Sequence, residues 1–296
     1  MPLSPKDLDA LARSLLADGP VKTLPAAPKR VRIRLGGRFV ADTTAAVYVW
    51  EHAYYPTYYI PLSSFAAGAL SQPGTSGDET EKKGYRLATL SAGTASTDRV
   101  IVFSGLGSDA KEKGVEEKGE AGERGGKGEG TVLAGLVRVE FAAADAWFEE
   151  DARIDVHPKD PFKRVDVVFS SRPVRVSVGG AEVARAAGGC FHLYETGLPV
   201  RLYLPATSVR GEVLRASGTV TACPYKGEAN YYDVVVPRDE GGKGDGDGEV
   251  FRDLVWYYKN PKMECAAIAG CLCFYNEKVD IELDGKMLER PKTLFS

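Results

Sequence analysis

The sequence has no large excess of charge of either sign, because 38 basic residues stand against 41 acidic ones in a chain of 296. Faces that bind nucleic acid or membrane surfaces usually carry clustered basic residues, so this balance argues against both kinds of partner. No apolar run approaches the roughly 18 residues of a transmembrane helix, and the first residues lack the apolar core of a secretion signal. We therefore expect a small-molecule ligand and neither a nucleic-acid nor a membrane partner.

Cysteine is also scarce, with five residues that lack the spacing of a disulfide scaffold. A reduced, cytoplasmic protein is the expectation from this pattern. Cys271 and Cys273 fall on one face of a predicted strand and form no C-x-x-C pair, so we expect buried thiols and no metal site. The chain has no phosphate-binding loop, dinucleotide fingerprint, H-E-x-x-H pair or nucleophile elbow. We accordingly expect no cofactor.

What the sequence does contain is an internal repeat with a period of about 140 residues, which indicates a duplicated domain. VRIRLGGRFVA starts at Val31 and VRVSVGGAEVA starts at Val174. In both, alternating apolar residues lead into a Gly-Gly turn and a second short run, which predicts a β-hairpin. Further matches join TLSAGTASTDRV, from Thr89, to CPYKGEANYYDV, from Cys223, and PFKRVDV to YNEKVDI.

The repeat and the alternating patterns predict an all-β chain with a few short helices. Two Gly-rich charged stretches, 104–131 and 238–248, are expected to be flexible insertions at equivalent points of the two copies. The predicted segments are an N-terminal helix and linker at 1–28, a first copy at 29–169, a second copy at 170–287 and a tail at 288–296.

The second copy has a dense group of polar residues inside otherwise apolar strands. Strand alternation places Arg201 and Tyr203 on one face, and the turn sequence CPYKG brings further polar groups close to it. A carboxylate, two cations and several phenols on one sheet are able to bind an anion or a carbonyl and move a proton. The candidate catalytic residues are Glu195, Tyr225, Lys226 and Cys223, and the candidate substrate-binding residues are Arg201, Tyr203, Tyr231, His157 and Asp160.

In this hypothesis Lys226 and Arg201 hold negative charge on the substrate, Glu195 or Tyr225 transfers the proton, and Cys223 is a candidate nucleophile. The structural alternative treats the same residues as cross-strand pairs, a buried thiol and a turn-forming histidine. The first copy has Ala92 where the sequence match places Lys226. We therefore predict one asymmetric site, carried by the second copy.

The function predicted is that of a cofactor-independent enzyme of the lyase, isomerase or hydrolase type. Its substrate is expected to be a small polar or carbonyl-containing metabolite. The alternative is a non-catalytic small-molecule-binding or scaffold protein.

Several longer motifs resemble one family. They are YETGLPVRLYLP, CPYKGEANYY, VWYYKNP, IAGCLCFY and VDIELDG in the second copy, and DAWFEED and HPKDPFKRVDV between the copies. Together they are similar to tandem two-copy members of the family known as domain of unknown function 427, with a degenerate first copy. The resemblance implies two compact β domains of the Mss4-like kind.

Overall fold

The computed structural model describes residues 7–71, 83–104, 132–237 and 248–293. The chain divides into two units, Met1–Asp160 and Pro161–Ser296. Each unit consists of one seven-stranded and one four-stranded antiparallel sheet, with a few short helical segments. The predicted all-β fold with two repeated domains is confirmed. Within the described residues, no helix has the length and apolar content needed to span a bilayer.

The first unit begins with a helix, α1 (Leu8–Ala17), and continues with eleven described strands. They are β1 (Lys22–Pro25), β2 (Val31–Leu35), β3 (Arg38–Thr43), β4 (Val47–Trp50), β5 (Thr57–Pro61), β6 (Leu70–Ser71), β7 (Tyr85–Ala92), β8 (Ala95–Phe103), β9 (Leu136–Val139), β10 (Ala146–Glu149) and β11 (Ala152–Ile154). The larger sheet has the order β1-β4-β5-β9-β8-β7-β6, and the smaller one has the order β11-β10-β2-β3.

The second unit contributes another eleven described strands. They are β12 (Val165–Ser170), β13 (Val174–Val178), β14 (Ala181–Ala186), β15 (Cys190–Glu195), β16 (Arg201–Leu204), β17 (Leu214–Cys223), β18 (Gly227–Val236), β19 (Glu249–Tyr258), β20 (Leu272–Phe274), β21 (Asp280–Leu283) and β22 (Lys286–Met287). The sheet orders are β12-β15-β16-β20-β19-β18-β17 and β14-β13-β21-β22. When the sheets of the two units are compared strand by strand in these orders, every described strand of one unit has a counterpart in the other.

The core of each unit lies between its two sheets, because alternate residues of every strand point inward. In β13, Val174, Val176 and Val178 are buried and the residues between them are not. The Gly-Gly turns predicted from the sequence connect β2 to β3 and β13 to β14. Gly36 and Gly179 both have a positive φ, of 55° and 56°, which glycine adopts without strain.

The outer face of the larger sheet is covered differently in the two units. In the first unit, Leu8, Ala12 and Leu15 of α1 pack in one apolar cluster with residues of the sheet that include Tyr59 and Ile101. Asp7 caps this helix, because its side chain accepts hydrogen bonds from the backbone N–H groups of Asp9 and Ala10. In the second unit the same face carries an aromatic and cysteine-rich cluster next to the 3₁₀ segment Met263–Ile268.

The boundary between the units lies nine residues before the predicted one at 169/170. β12 was assigned to the first copy, but it pairs with β15 along its whole length and so belongs to the second unit. Its counterpart β1 lies in the segment predicted as a linker and pairs with β4 in the same way. PFKRVDV therefore leads into an edge strand and is not the counterpart of YNEKVDI.

The sheet order also corrects the predicted match between TLSAG and CPYKG. The TLSAG turn connects β7 to β8, whereas CPYKG connects β17 to β18. Because β7 corresponds to β18, Ala92 is not the counterpart of Lys226. For the same reason the two charged stretches are not equivalent, since 104–131 joins β8 to β9 and 238–248 joins β18 to β19. Apart from Ser104 and Gly248, both stretches lie outside the described residues.

Candidate functional site

The second unit collects most of the predicted site residues on the outer face of its larger sheet. Alternation along β16 places Leu202 and Leu204 in the core between the sheets. Tyr203 belongs to the outer cluster, and Arg201 lies over the ring of Trp256, with 5.5 Å between the guanidinium carbon and the ring centre. The predicted alternation of this strand therefore agrees with the structure.

Arg201 is bound by a carboxylate that the sequence analysis did not select. Its two terminal nitrogens each donate to one oxygen of Glu277 at 2.7 Å. The side chain of Glu277 is fully buried and also accepts a hydrogen bond from Thr293 at 2.7 Å. Burial alone would raise the pKa of Glu277, but the hydrogen bonds from Arg201 and Thr293 lower it to about 2. We call the Arg201–Glu277 pair closed, because each of its two charges is matched by the other within the protein.

A second buried ion pair joins Lys226 to Glu195. The Lys226 Nζ atom lies 2.5 Å from a carboxylate oxygen of Glu195, with side-chain exposures of 12% and 8%. Lys226 stands in the turn between β17 and β18, and Glu195 is the last residue of β15. Burial lowers the pKa of Lys226, but its interactions with Cys223 and Glu195, which include the hydrogen bond to Glu195, outweigh burial and raise the pKa. Lys226 is therefore an ammonium ion at neutral pH.

The thiols near this pair differ in their access to solvent. All five cysteines lie in the described ranges, and of these only Cys223 is half-buried rather than buried. Burial raises the pKa of Cys265 to about 11, even though the Lys226 ammonium lowers it. Cys273 is fully buried, and burial raises its pKa well above the ordinary value. Among these thiols, Cys223 is therefore the one placed to meet a ligand.

The phenols of the cluster are mostly part of the packing. Trp256 donates from Nε1 to the Tyr203 hydroxyl at 3.0 Å, and Tyr231 shares a hydrogen bond of 2.8 Å with Thr221. Burial raises the pKa of Tyr203, so this phenol stays protonated at neutral pH. Tyr225 is buried in the turn beside Lys226.

The remaining two predicted residues belong to the first unit. Asp160 accepts a hydrogen bond from Nε1 of Trp50 at 3.1 Å. The ring of His157 stacks on Tyr55 with 4.1 Å between ring centres, and its Nδ1 lies 2.7 Å from the carbonyl oxygen of Pro158. These two residues therefore lie in a different unit from Glu195 and Lys226.

The first unit has a buried ion pair of its own, which involves the counterpart of Glu195. Glu51 is the counterpart of Glu195. Val49 of β4 and Leu193 of β15 occupy the same register position in their sheets, and each carboxylate follows two residues later. Arg138 binds it with two hydrogen bonds, from Nε at 2.7 Å and from Nη2 at 3.2 Å. The cation comes from β9 and not from a turn. For this reason the comparison of turn sequences missed it.

Within the described ranges, no group of three or more His, Cys, Asp or Glu residues is arranged to hold a metal ion.

Comparison with known families agrees with this duplicated architecture. The sequence profile described as a domain of unknown function (DUF427) matches residues 23–102 and 166–285. The chain belongs to this family. Each match falls within one structural unit, so the chain is a tandem two-copy DUF427 protein. No curated protein matches the chain.

The extent of the two DUF427 matches bears on the residues that the sequence analysis missed. Glu277 lies inside the second match, together with Lys226 and Glu195, whereas Arg138 lies beyond the end of the first match at 102. The sequence does contain a feature that could have identified Arg138, because this charged residue lies within the otherwise apolar strand LVRV, which is buried. A charged residue in such a run needs a partner, and this need predicts a buried carboxylate nearby.

Proposed function

We propose that the protein is an enzyme acting on a small carbonyl-containing metabolite at the outer face of the second unit. The observation that supports this most is the buried Lys226–Glu195 pair beside the half-buried thiol of Cys223. It places an ammonium ion, a carboxylate and an accessible nucleophile within one turn and one strand end. No metal or cofactor is part of this proposal.

The chemistry that fits the pair is transfer of a proton next to a carbonyl group. Glu195 would take a proton from the carbon beside the carbonyl, and the bonding electrons would move to the carbonyl oxygen to give an enolate. The Lys226 ammonium would stabilise the new negative charge on that oxygen. If the α-carbon carries a hydroxyl group, the proton of that hydroxyl moves to the former carbonyl oxygen, the α-carbon becomes the new carbonyl carbon, and Glu195 returns its proton to the former carbonyl carbon. This completes an isomerisation without another reactant.

Arg201 has a different role in this proposal. Both of its terminal nitrogens are already bound by Glu277, so its charge is matched without a substrate. We assign it to holding the sheet face on which Lys226 and Glu195 stand.

The test is hydrogen exchange into a panel of small hydroxy-aldehydes, hydroxy-ketones and 2-oxo acids. The protein is incubated with each compound in D₂O, and loss of the proton next to the carbonyl is followed by ¹H NMR. Exchange with at least one compound is expected. Glu195→Gln should slow it by about 10²–10⁴-fold, the usual worth of a general base.

The matched control is Glu212→Gln, which changes an exposed carboxylate of the same unit, with 64% side-chain exposure, and should leave the exchange rate unchanged. Cys223→Ser distinguishes proton transfer by Glu195 from a reaction at the Cys223 thiol. Exchange that survives this change supports proton transfer by Glu195, whereas exchange that disappears assigns the reaction to the thiol. No exchange with any compound would contradict the enzymatic proposal.

A second candidate function is a non-catalytic scaffold or binding protein. It is favoured by the closed Arg201–Glu277 pair, which is the arrangement expected of a structural ion pair. On this reading Lys226→Met lowers the melting temperature while the wild-type protein exchanges no proton of the panel.

A further inference from the structure

The outer face of the four-stranded sheet differs in chemistry between the two units. In the second unit this face has an arginine, Arg175 of β13, between two carboxylates. Its Nε atom lies 3.2 Å from Glu182 of β14, and its Nη1 atom lies 3.3 Å from Glu282 of β21. The arginine is therefore matched by acidic residues of the neighbouring strands.

The same face of the first unit is aromatic. Arg32 of β2 occupies the equivalent register position, but its neighbours are Phe39 of β3 and Phe148 of β10 in place of the two glutamates. The Arg32 guanidinium carbon lies 4.6 Å from the Phe39 ring centre and 5.6 Å from that of Phe148. A second arginine, Arg34, stands where the second unit has Ser177, and its guanidinium carbon lies 5.5 Å from the Phe148 ring centre. We call the two arginines and two phenylalanines the Arg–Phe face.

The fold does not require the Arg–Phe face, because the second unit builds the same sheet without it. Phe39 is 45% exposed, so an aromatic ring meets water where the second unit has a glutamate. Arginine and aromatic side chains are enriched in the buried centres of protein interfaces. A flat sheet face covers little of a small molecule but is able to cover a protein surface. These features indicate a protein partner.

The ion pairs at this face leave charges of both signs unmatched. Arg32 binds Asp151 at 2.6 Å, and Arg30 binds Asp42. Two further arginines and two further carboxylates form no ion pair with any described residue; they are Arg34, Arg153 of β11, and Asp145 and Glu150 at the two ends of β10. The Asp145 carboxylate accepts from the backbone N–H of Gly37, and that of Glu150 from the backbone N–H of Arg30, so both keep their charge.

Unmatched charges of both signs favour a second copy of the same face over other partners. Nucleic acid or an acidic protein would meet the two carboxylates, and a basic protein would meet the two arginines. A two-fold contact sets one patch against an identical patch, so the cations of each copy are offered the anions of the other. The face is therefore complementary in charge to a second copy of itself.

We propose that the first unit associates with a second copy of this chain through the Arg–Phe face, in a two-fold dimer. In this dimer Phe39 of each copy is covered, and Arg34 and Arg153 of each copy meet carboxylates at the ends of the other copy's β10. The dimer is independent of proton transfer in the second unit.

The size of the face determines how tight the dimer is. Four strands about 4.8 Å apart, each of about five residues at about 3.3 Å per residue, cover about 300 Å². This is below the roughly 800 Å² that each partner buries in a stable complex, so the contact is weak. With a Kd of about 10⁻⁴ M, about 15% of the chains are in dimers at about 10 µM and about 70% at about 0.5 mM.

The test is sedimentation equilibrium of the full chain over that range of concentration. Two variants introduce the residue that the second unit has at the same position, so the sheet is expected to tolerate them. They are Phe39→Glu and Arg34→Ser. A two-fold contact contains every substitution twice, and each variant should weaken the dimer by about tenfold or more. The melting temperature of each variant is measured alongside.

The matched control is Met287→Glu in the second unit. Met287 stands at the position of Arg153 and is 65% exposed. It also lies on the outer face of a four-stranded sheet, but that sheet lacks the Arg–Phe face. The change adds the same charge as Phe39→Glu and should leave the dimer unaffected.

An exchange of charges tests whether the second copy is the partner that the face selects. One double variant, Arg34→Glu with Arg153→Glu, makes the unmatched charges all negative. The other, Asp145→Lys with Glu150→Lys, makes them all positive. Each double variant should stay monomeric alone because like charges then face each other, and an equimolar mixture of the two should form dimers again.

Three results would overturn the proposal. A wild type that stays monomeric up to about 0.5 mM would leave the face to a different protein. Unchanged association of a folded Phe39→Glu variant, or equal weakening by Met287→Glu, would place the contact elsewhere on the chain. If the mixture of the two double variants forms no dimer, the charges of this face do not select a second copy.

Discussion

Replacing Glu277 by glutamine tests whether the closed ion pair of the second unit stabilises its fold. The change keeps the size of the side chain and removes its charge. Arg201 then remains buried, with 9% side-chain exposure, opposite a neutral amide. We expect a large loss of stability confined to the second unit.

The size of this loss follows from two separate arguments. A carboxyl pKa lowered from 4.5 to about 2 corresponds to about 3 kcal/mol of stabilisation of the charged form. Removing one partner of a buried pair typically costs about 3–5 kcal/mol, because the other charge stays behind. The expected decrease in the free energy of unfolding at pH 7 is therefore about 3 kcal/mol.

The pH dependence of this difference gives a sharper test. The pKa of Glu277 is lower in the folded state than in the unfolded state, so the unfolded state takes up the proton first as the pH falls. The stabilisation is fully present above about pH 4.5 and is lost between about pH 4.5 and pH 2. The wild type should approach the stability of Glu277→Gln over that interval.

The assay is urea unfolding followed by fluorescence, with Trp256 as the reporter because it lies against Arg201. The matched control is Asp280→Asn, which breaks the half-exposed pair of Asp280 with Arg290 and should cost less than about 1 kcal/mol. A difference for Glu277→Gln below about 1 kcal/mol at pH 7, or one that does not change with pH, would refute the reasoning.

Three further predictions concern other parts of the chain. Gly36→Ala should cost the first unit about 2 kcal/mol, because φ is positive and the added Cβ would lie 2.5 Å from the carbonyl oxygen of Ala92; Gly37→Ala, where the space is open, should cost less in the same urea titration. Iodoacetamide should label Cys223 well before the four buried cysteines, as read by peptide mass spectrometry, and prior labelling of another cysteine would contradict the assigned burial. Asp7→Ala should destabilise the first unit by about 1 kcal/mol through loss of the helix cap, and an unchanged thermal melt would show that α1 needs no cap.

Local patterns in the sequence were enough to predict the strands and their inward faces. Alternation identified the buried residues of β13 and the division of β16 into a core side and an outer side. These features depend on the geometry of a single strand, which the sequence specifies directly. The Gly-Gly turns could be predicted for the same reason, since few residues other than glycine adopt their φ values.

The correspondence between the copies could not be predicted with the same accuracy. TLSAG and CPYKG are both short turns between alternating strands, so their sequences align well even though the two turns do not occupy equivalent places in the fold. Only the sheet order distinguishes them, and sheet order depends on contacts between distant residues. The partners of the ion pairs have the same origin, because Glu277 is 76 residues from Arg201 and Arg138 is 87 residues from Glu51.

The two units neutralise a buried carboxylate in two different ways. A carboxylate at the end of the same strand, Glu51 or Glu195, is buried in each unit and needs a cation. In the first unit Arg138 of β9 supplies it, opposite Tyr59. In the second unit the position opposite Tyr203 is taken by Cys273, and the cation is Lys226 from a turn. Because either arrangement neutralises the carboxylate, the shift in the origin of the cation is not required for folding. The second arrangement places Lys226 beside the half-buried thiol of Cys223, so we look for the function of the second unit at this turn.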